Sequence, residues 1–303
     1  MSKKIIVRIA EGLGNQLFMY AHSLSLSKKI NYDLFIDDES GYFKKKDIRS
    51  YVLNEFNIDT PVCANKYKFN NHILNLKRKF LIKTDMFKKN KSFLLEKKDK
   101  DKKTKYFNHN YENLSNLLYV EGHYESDKYF NSLKDVLKKK FTLLNEHIYQ
   151  KNSYYETIKN NHNIVSICVR QNRFSERISN INDYNRKNMS NEFTKTTINY
   201  IKRAVEYLDR KMFSPKYFVW SNDFSNLREY FPENKYLFVD IKQDKSLSDF
   251  YLLLNCKNFI VGPTSFHWWP AWLNSDKNSV IIRPKDINVS NNADFWPKDW
   301  LPL

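Results

Sequence analysis

Near the start of the chain the apolar positions switch from one period to another. Ile5–Ile9 is a short continuous run with the length of a buried strand, and it leads into Glu11-Gly12-Leu13-Gly14-Asn15-Gln16. Beyond that loop Leu17, Tyr20, Ala21 and Leu24 recur at three- and four-residue spacing, which predicts a helix. Leu34–Ile36 predicts a second strand that ends at Asp37-Asp38. Strand, loop, helix and strand is how an open α/β sheet begins. Residues 66–117 show no sustained period; they are expected to be helical in part and to lie outside the main sheet.

The second half alternates more regularly. Ile164–Val169, Tyr217–Trp220, Leu237–Val239, Phe259–Val261 and Val280–Ile282 are short apolar runs of the kind that form parallel strands buried on both faces. Between the first two, Ile201, Ala204, Val205, Leu208 and Met212 line one helix face, with Ser190 ahead of them as the expected cap. Ser248–Asn255 and Phe266–Asn274 supply further helices. Strand alternating with helix in this way predicts a doubly wound domain. The polar stretch Gln150–Asn163 sets the expected division, with domains 1–155 and 156–303 and the basic insertion 66–117 in the first.

Composition changes this picture little. Twenty Tyr, 22 Phe and 6 Trp in 303 residues supply ample apolar surface for two cores. No run approaches the roughly 18 apolar residues that a membrane span needs, and Ile5–Ile9 is too short for a signal peptide. Cys63, Cys168 and Cys256 are odd in number and far apart, which fits a reducing compartment, and a cytoplasmic protein is expected. The net charge of +17 is concentrated: residues 66–105 carry fifteen Lys/Arg against four Asp/Glu, a net of +11. Two readings stand, a solvated lysine-rich surface segment or a peripheral contact with the anionic inner face of a membrane. Nucleic acid is not the expected partner, because that would require basic residues interleaved with aromatics on an ordered face.

Four patches carry candidate chemistry. Gly12, Gly14, Asn15 and Gln16 lie between a strand and a helix, where backbone can approach a ligand and helix N–H groups face it; a tight turn without a ligand is the alternative. Cys168-Val169-Arg170 closes a strand, and the carboxyl end of a strand in such a sheet is where ligands bind. An arginine there suits a diphosphate through its two-pronged guanidinium, unless it is merely a surface arginine. Asn222-Asp223 closes the next strand and could accept from a base or ribose hydroxyl, or cap the following helix. Thr264-Ser265-Phe266-His267 opens a helix and could form an anion site, with His267 either catalytic or a satisfied structural histidine.

These residues together resemble a known family. Gly12-Leu13-Gly14-Asn15-Gln16-Leu17-Phe18 is similar to the N-terminal GGLGNQ(L/M)F signature of the bacterial α-1,2-fucosyltransferases, glycosyltransferase family 11. Gly122–Phe130 looks like the family's GYxQ(S/D)xxYF, and Ile164–Phe174 occupies the place of (V/L)SIH(V/I)RRGDY. Trp220–Asp223 matches FSDD, and Asp249–Leu273 aligns without a gap with DLxLMSxxxHxIxANSxFSWWxAxL. Arg283-Pro284-Lys285 and Trp296–Trp300 also fit. The resemblance implies a GT-B fold, two Rossmann-like doubly wound α/β domains facing a cleft. It implies inverting transfer of L-fucose from GDP-fucose, without metal or other cofactor, to a sugar hydroxyl of a bacterial surface glycan in α-1,2 linkage, the acceptor being lipid-linked in one reading.

The same resemblance makes Arg170 the diphosphate arginine, Thr264, Ser265, Phe266 and His267 the phosphate-side loop, and Asn222 and Asp223 the pair near the nucleoside. Glu11 and Glu176 are the nominated bases. The chain departs from the family mainly in one motif: Cys168 replaces His, Gln171 the second Arg, Asn172 Gly, and Arg173 Asp, while Pro263 replaces Asn and His267 Ser. These departures leave open a donor carrying another GDP-activated sugar, or a glycan-binding relative without activity.

Overall fold

The computed structural model describes residues 3–303 apart from 45–48, 100, 102, 109–110, 177–183, 243–244, 275–276, 289 and 291. The chain divides into two compact units, Met1–Leu144 with Ser290–Pro297, and Asn145–Val289 with Lys298–Leu303. The division lies ahead of the expected 155/156, and a short segment near the C-terminus returns to the first unit. There Phe295 packs on Phe18, and Tyr106 donates its N–H to Asp294.

The first unit runs β1 (Lys4–Arg8), α1 (Leu13–Ile30), β2 (Asp33–Asp37), α2 (His72–Asp85), β3 (Lys91–Leu95), β4 (Leu114–Glu121) and α3 (Lys134–Lys140). Its four strands are parallel, in the order β2-β1-β4-β3. Thus residues 66–117 do not lie outside the sheet: they contribute α2, the edge strand β3 and the first half of β4, which pairs with β1 through Ile5–Leu118 and Val7–Val120. The sequence pattern hides β4 because only Leu118–Val120 is fully buried, whereas its first half, Leu114-Ser115-Asn116-Leu117, is mixed in polarity and half-buried to exposed. α1 is almost wholly buried and ends at Asn31, whose left-handed backbone (φ 56°) returns its N–H to Ser27.

The second unit runs α4 (Glu146–Gln150), α5 (Tyr155–Asn160), β5 (Ile164–Val169), α6 (Tyr184–Lys211), β6 (Lys216–Ser221), β7 (Tyr236–Phe238), α7 (Lys245–Asn255), β8 (Asn258–Ile260), α8 (Ser265–Leu273), β9 (Ile281–Arg283) and β10 (Leu301–Pro302). All six strands are parallel, in the order β10-β9-β8-β5-β6-β7. Every residue of β5 is buried, as a central strand covered on both faces requires. Val165, Ile167 and Val169 pack with Ile201, Ala204, Val205 and Leu208 of α6 in one apolar cluster. Ser190 is not the cap of that helix. It lies inside α6, and its hydroxyl accepts the Phe174 N–H at 3.0 Å, tying the loop after β5 to the helix.

Candidate active site

The strand order of the second unit turns back on itself. From β5 the chain moves through β6 to β7 on one side, then returns to β8 on the other side of β5 and continues to β9 and β10. β5 and β8 therefore flank the point where the topology reverses, and ligands of open α/β sheets bind beyond the strand ends at that point. Those ends meet closely. A Cβ on Gly262 would lie 2.1 Å from the Cys168 carbonyl oxygen, so only glycine fits there.

Arg170 follows β5 at this edge and forms an ion pair with Glu176. The next residues are locked by a clasp between the loops after β5 and β6. Gln171 N–H donates to Asn222 Oδ1 at 2.9 Å, and Asn222 Nδ2 donates back to the Gln171 carbonyl at 3.2 Å. Gln171 Nε2 also bridges the carbonyls of Asp223 (2.6 Å) and Ser225 (2.9 Å). Asn172 adopts a left-handed φ of 56° and donates to Asp223 Oδ2 at 3.0 Å. Two of the departures from the family motif thus take part in this clasp. Asn is the non-glycine residue that best tolerates this conformation, and the Gln amide holds the neighbouring loop. Arg173 lies over the rings of Phe193 and Phe174, a packing role for the third departure.

Hydrogen bonds from Ser225, then from Asn172, hold the Asp223 carboxyl below its ordinary range, so it is an anion at neutral pH. Asn222 and Asp223 therefore both shape this edge and leave a half-buried carboxylate on it.

Beyond β8, Thr264 caps α8. Its Oγ1 accepts the His267 N–H at 3.1 Å and its carbonyl accepts from Trp268. Ser265 and Phe266 form the half-buried first turn, where the positive end of the helix dipole lies. His267 is turned into the core. It is fully buried, its Nδ1 accepts the Gly262 N–H at 2.9 Å, and its Nε2 lies 3.2 Å from the hydroxyl of Ser166. Burial pushes its pKa down to about 3, so the ring is neutral and braces the loop that carries Thr264–Phe266.

Cys168 is likewise a core residue, its thiol pushed up to about 12 by burial and by Asp249. Asp249 on α7 is the residue that sequence reasoning passed over. It is buried, and desolvation raises its pKa to about 7 against the opposing pull of Lys245, whose Nζ lies 3.4 Å from Oδ2. Asp249 Oδ1 has no hydrogen-bond partner among the described residues. The signal was present as one acid directly ahead of the apolar run Phe250–Leu254, four residues after a lysine.

In the first unit the loop Glu11–Gln16 turns the chain from β1 into α1. Glu11 has a left-handed φ of 65°, a strained backbone for a non-glycine residue. Gln16 holds it there: Nε2 donates to the carbonyls of Glu11 (2.9 Å) and Ser50 (2.8 Å), while Oε1 accepts from Val52 N–H (3.0 Å). Gln16 is fully buried and its amide is engaged within the fold, so it acts as a clamp on this turn. Gly14 is buried as well, whereas Glu11, Gly12 and Asn15 lie nearer the surface at the start of α1. Among the described residues no three His, Cys, Asp or Glu side chains come together to hold a metal ion.

The model of glycosyl transferase family 11 matches residues 2–302. The chain belongs to glycosyl transferase family 11. It is 26% identical over 320 aligned positions to the Escherichia coli O-antigen biosynthesis glycosyltransferase WbnK, covering 97% of this chain and 99% of that one. It is 25% identical to an Escherichia coli α-1,2-colitosyltransferase, covering 99% and 98%. Among solved structures it is similar to the α-1,6-fucosyltransferase NodZ of Bradyrhizobium, determined with GDP-fucose soaked in, at a TM-score of 0.52 and 13% identity over 90% of this chain and 93% of that one. This family 11 glycosyltransferase therefore has a GT-B-type fold. No helix among its described residues is long and apolar enough to cross a membrane.

Proposed function

We propose that this glycosyltransferase transfers L-fucose from GDP-fucose to a sugar hydroxyl of a bacterial surface glycan, in α-1,2 linkage and with inversion. One observation carries the reading: Arg170 and the first turn of α8 flank the point where the strand order of the second unit reverses, between β5 and β8. A diphosphate lying there would meet a guanidinium fork on one side and a helix N-terminus on the other. In the displacement the acceptor oxygen bonds to the anomeric carbon, the bond to the phosphate oxygen breaks, and GDP departs with that electron pair. Arg170 and α8 stabilise the charge that develops on the leaving group, which is where protein dipoles lower a barrier most.

In this scheme Asp223, held ionised, accepts hydrogen bonds from the nucleoside, as guanine N1–H and N2–H require. Glu176 occupies the Arg170 guanidinium when the donor is absent. Glu11 and Glu176 are the carboxylates available to take the acceptor proton. The NodZ structure soaked with GDP-fucose supports a guanine nucleotide through likeness of fold. The colitosyltransferase relative supports a second reading, in which the linkage is kept and the donor carries a different GDP-activated sugar.

Calorimetry with GDP, UDP, ADP and CMP tests the donor. GDP should bind tightest, and tighter binding of UDP would overturn the assignment. A mass-spectrometric screen of GDP-sugars separates the two readings. With Arg170 and α8 supplying the positive charge, turnover should persist in EDTA; complete loss restored by Mg²⁺ or Mn²⁺ would refute metal independence.

A further inference from the structure

Helix α2 carries apolar side chains on the side away from the sheet as well as toward it. Its exposed side carries Ile73 (79% exposed), Leu76 (64%) and Phe80 (65%), at the i, i+3, i+7 spacing that puts them on one stripe. Met86 (75%) and Phe87 (90%) extend the apolar surface just past its end. The side turned toward the sheet carries half-buried Leu74, Leu81 and Ile82 together with polar anchors. Arg78 pairs with Glu121 of β4 and bonds Asn75, while the buried Asp85 carboxylate accepts the N–H groups of Ser92 and Phe93 at the start of β3. The helix is therefore held from within by these apolar side chains and charges together, and it presents a second apolar stripe to solvent.

Lysines border that stripe. At 100° per residue Lys77 lies on one side of it and Lys79 and Lys83 on the other, with Lys88 and Lys89 beside Phe87. Lys77, Lys79, Lys83 and Lys89 have no ion-pair partner among the described residues, and the helix's single acid, Asp85, is turned inward. We infer that this face of α2, together with Phe87, is a docking surface for an anionic lipid bilayer. The apolar stripe enters the boundary between headgroups and acyl chains, and the lysines meet the lipid phosphates. A second copy of the chain is a poor occupant, because two such faces would set lysine against lysine. A nucleic acid would leave the apolar stripe facing phosphates and water. The inference stands apart from the donor assignment, and its test does not use the donor.

Flotation of the full chain with vesicles checks it. Wild type should bind phosphatidylcholine vesicles containing phosphatidylglycerol far better than phosphatidylcholine alone, and rising salt should weaken this. Exchanging Lys77, Lys79 and Lys83 together for Gln should lower binding to anionic vesicles on the order of a hundredfold, at about fivefold per lysine. Exchanging Ile73, Leu76 and Phe80 together for Gln, a good helix former, should abolish binding to both kinds of vesicle with the circular dichroism spectrum unchanged. If that variant misfolds, the lysine variant decides alone. Equal wild-type binding to neutral and anionic vesicles would overturn the inference. So would an apolar variant that binds like wild type, or a dimer in light scattering that the apolar variant dissolves.

Discussion

The neutral, buried imidazole of His267 makes a quantitative demand on stability. In the unfolded chain the ring takes a proton below its ordinary value of 6.5, whereas in the fold burial defers protonation to about 3. Between those values the unfolded state binds the extra proton, so this group's contribution to stability is lost as pH falls from 7 toward 3. By pH 5 the loss is RT ln(1 + 10^1.5), or about 2 kcal/mol, and it is set by the unfolded ring alone as long as the folded ring stays neutral. Asp249 acts in the opposite sense. Its folded pKa of about 7 lies above the ordinary 3.8, so acidification over the same interval restores roughly 2 kcal/mol, and the wild-type curve can look flat. The informative quantity is therefore the difference between wild type and His267→Asn, whose amide oxygen can replace Nδ1 as acceptor for Gly262 N–H. Urea unfolding followed by tryptophan fluorescence reports on the second unit, which holds Trp220, Trp268, Trp269, Trp272 and Trp300 and leaves only Trp296 to the first. The variant should start less stable at pH 7 but lose about 2 kcal/mol less than wild type between pH 7 and pH 5. Equal losses, or an NMR titration placing His267 near 6.5, would refute the account of a neutral brace.

The remaining predictions concern both units. Asp249→Asn should remove the opposing pH dependence, so that its stability relative to wild type rises by roughly 2 kcal/mol from pH 5 to pH 7 in the same urea titrations; a constant difference would show that Asp249 is ionised in the fold. Arg170→Ala should lower kcat/KM on the order of a hundredfold with the unfolding curve unchanged, as removal of a transition-state charge partner does, and near wild-type turnover would remove Arg170 from the mechanism. Gln16→Ala strands the Val52 N–H and frees the strained Glu11 turn, so it should cost about 2–3 kcal/mol in chemical denaturation. A change in nucleotide affinity without loss of stability would instead make Gln16 a ligand contact.

The sequence alone determined the elements whose burial is symmetric. β5 is apolar at every position because a central parallel strand is covered on both faces, and the β1–α1–β2 opening shows because its helix is almost entirely enclosed. The position of Arg170 at a strand end follows from the same pattern. Tertiary structure decided everything that depends on partners distant in the chain. Gln16 reads as a loop residue, and only the carbonyl of Ser50 and the N–H of Val52 on its amide show the clamp. His267 stands in a helix-opening motif, and only Gly262 and Ser166 show that both ring nitrogens are engaged. The first half of β4 is mixed in polarity, so its place beside β1 came from pairing and not from pattern. Asp249 acquires its raised pKa from neighbours brought in by folding. In α2 the sequence pattern is irregular and cannot say which side of the helix meets the sheet. The Arg78–Glu121 pair and the Asp85 carboxylate settle that, because a buried charge must find its partner whereas an apolar side chain can remain in water at modest cost.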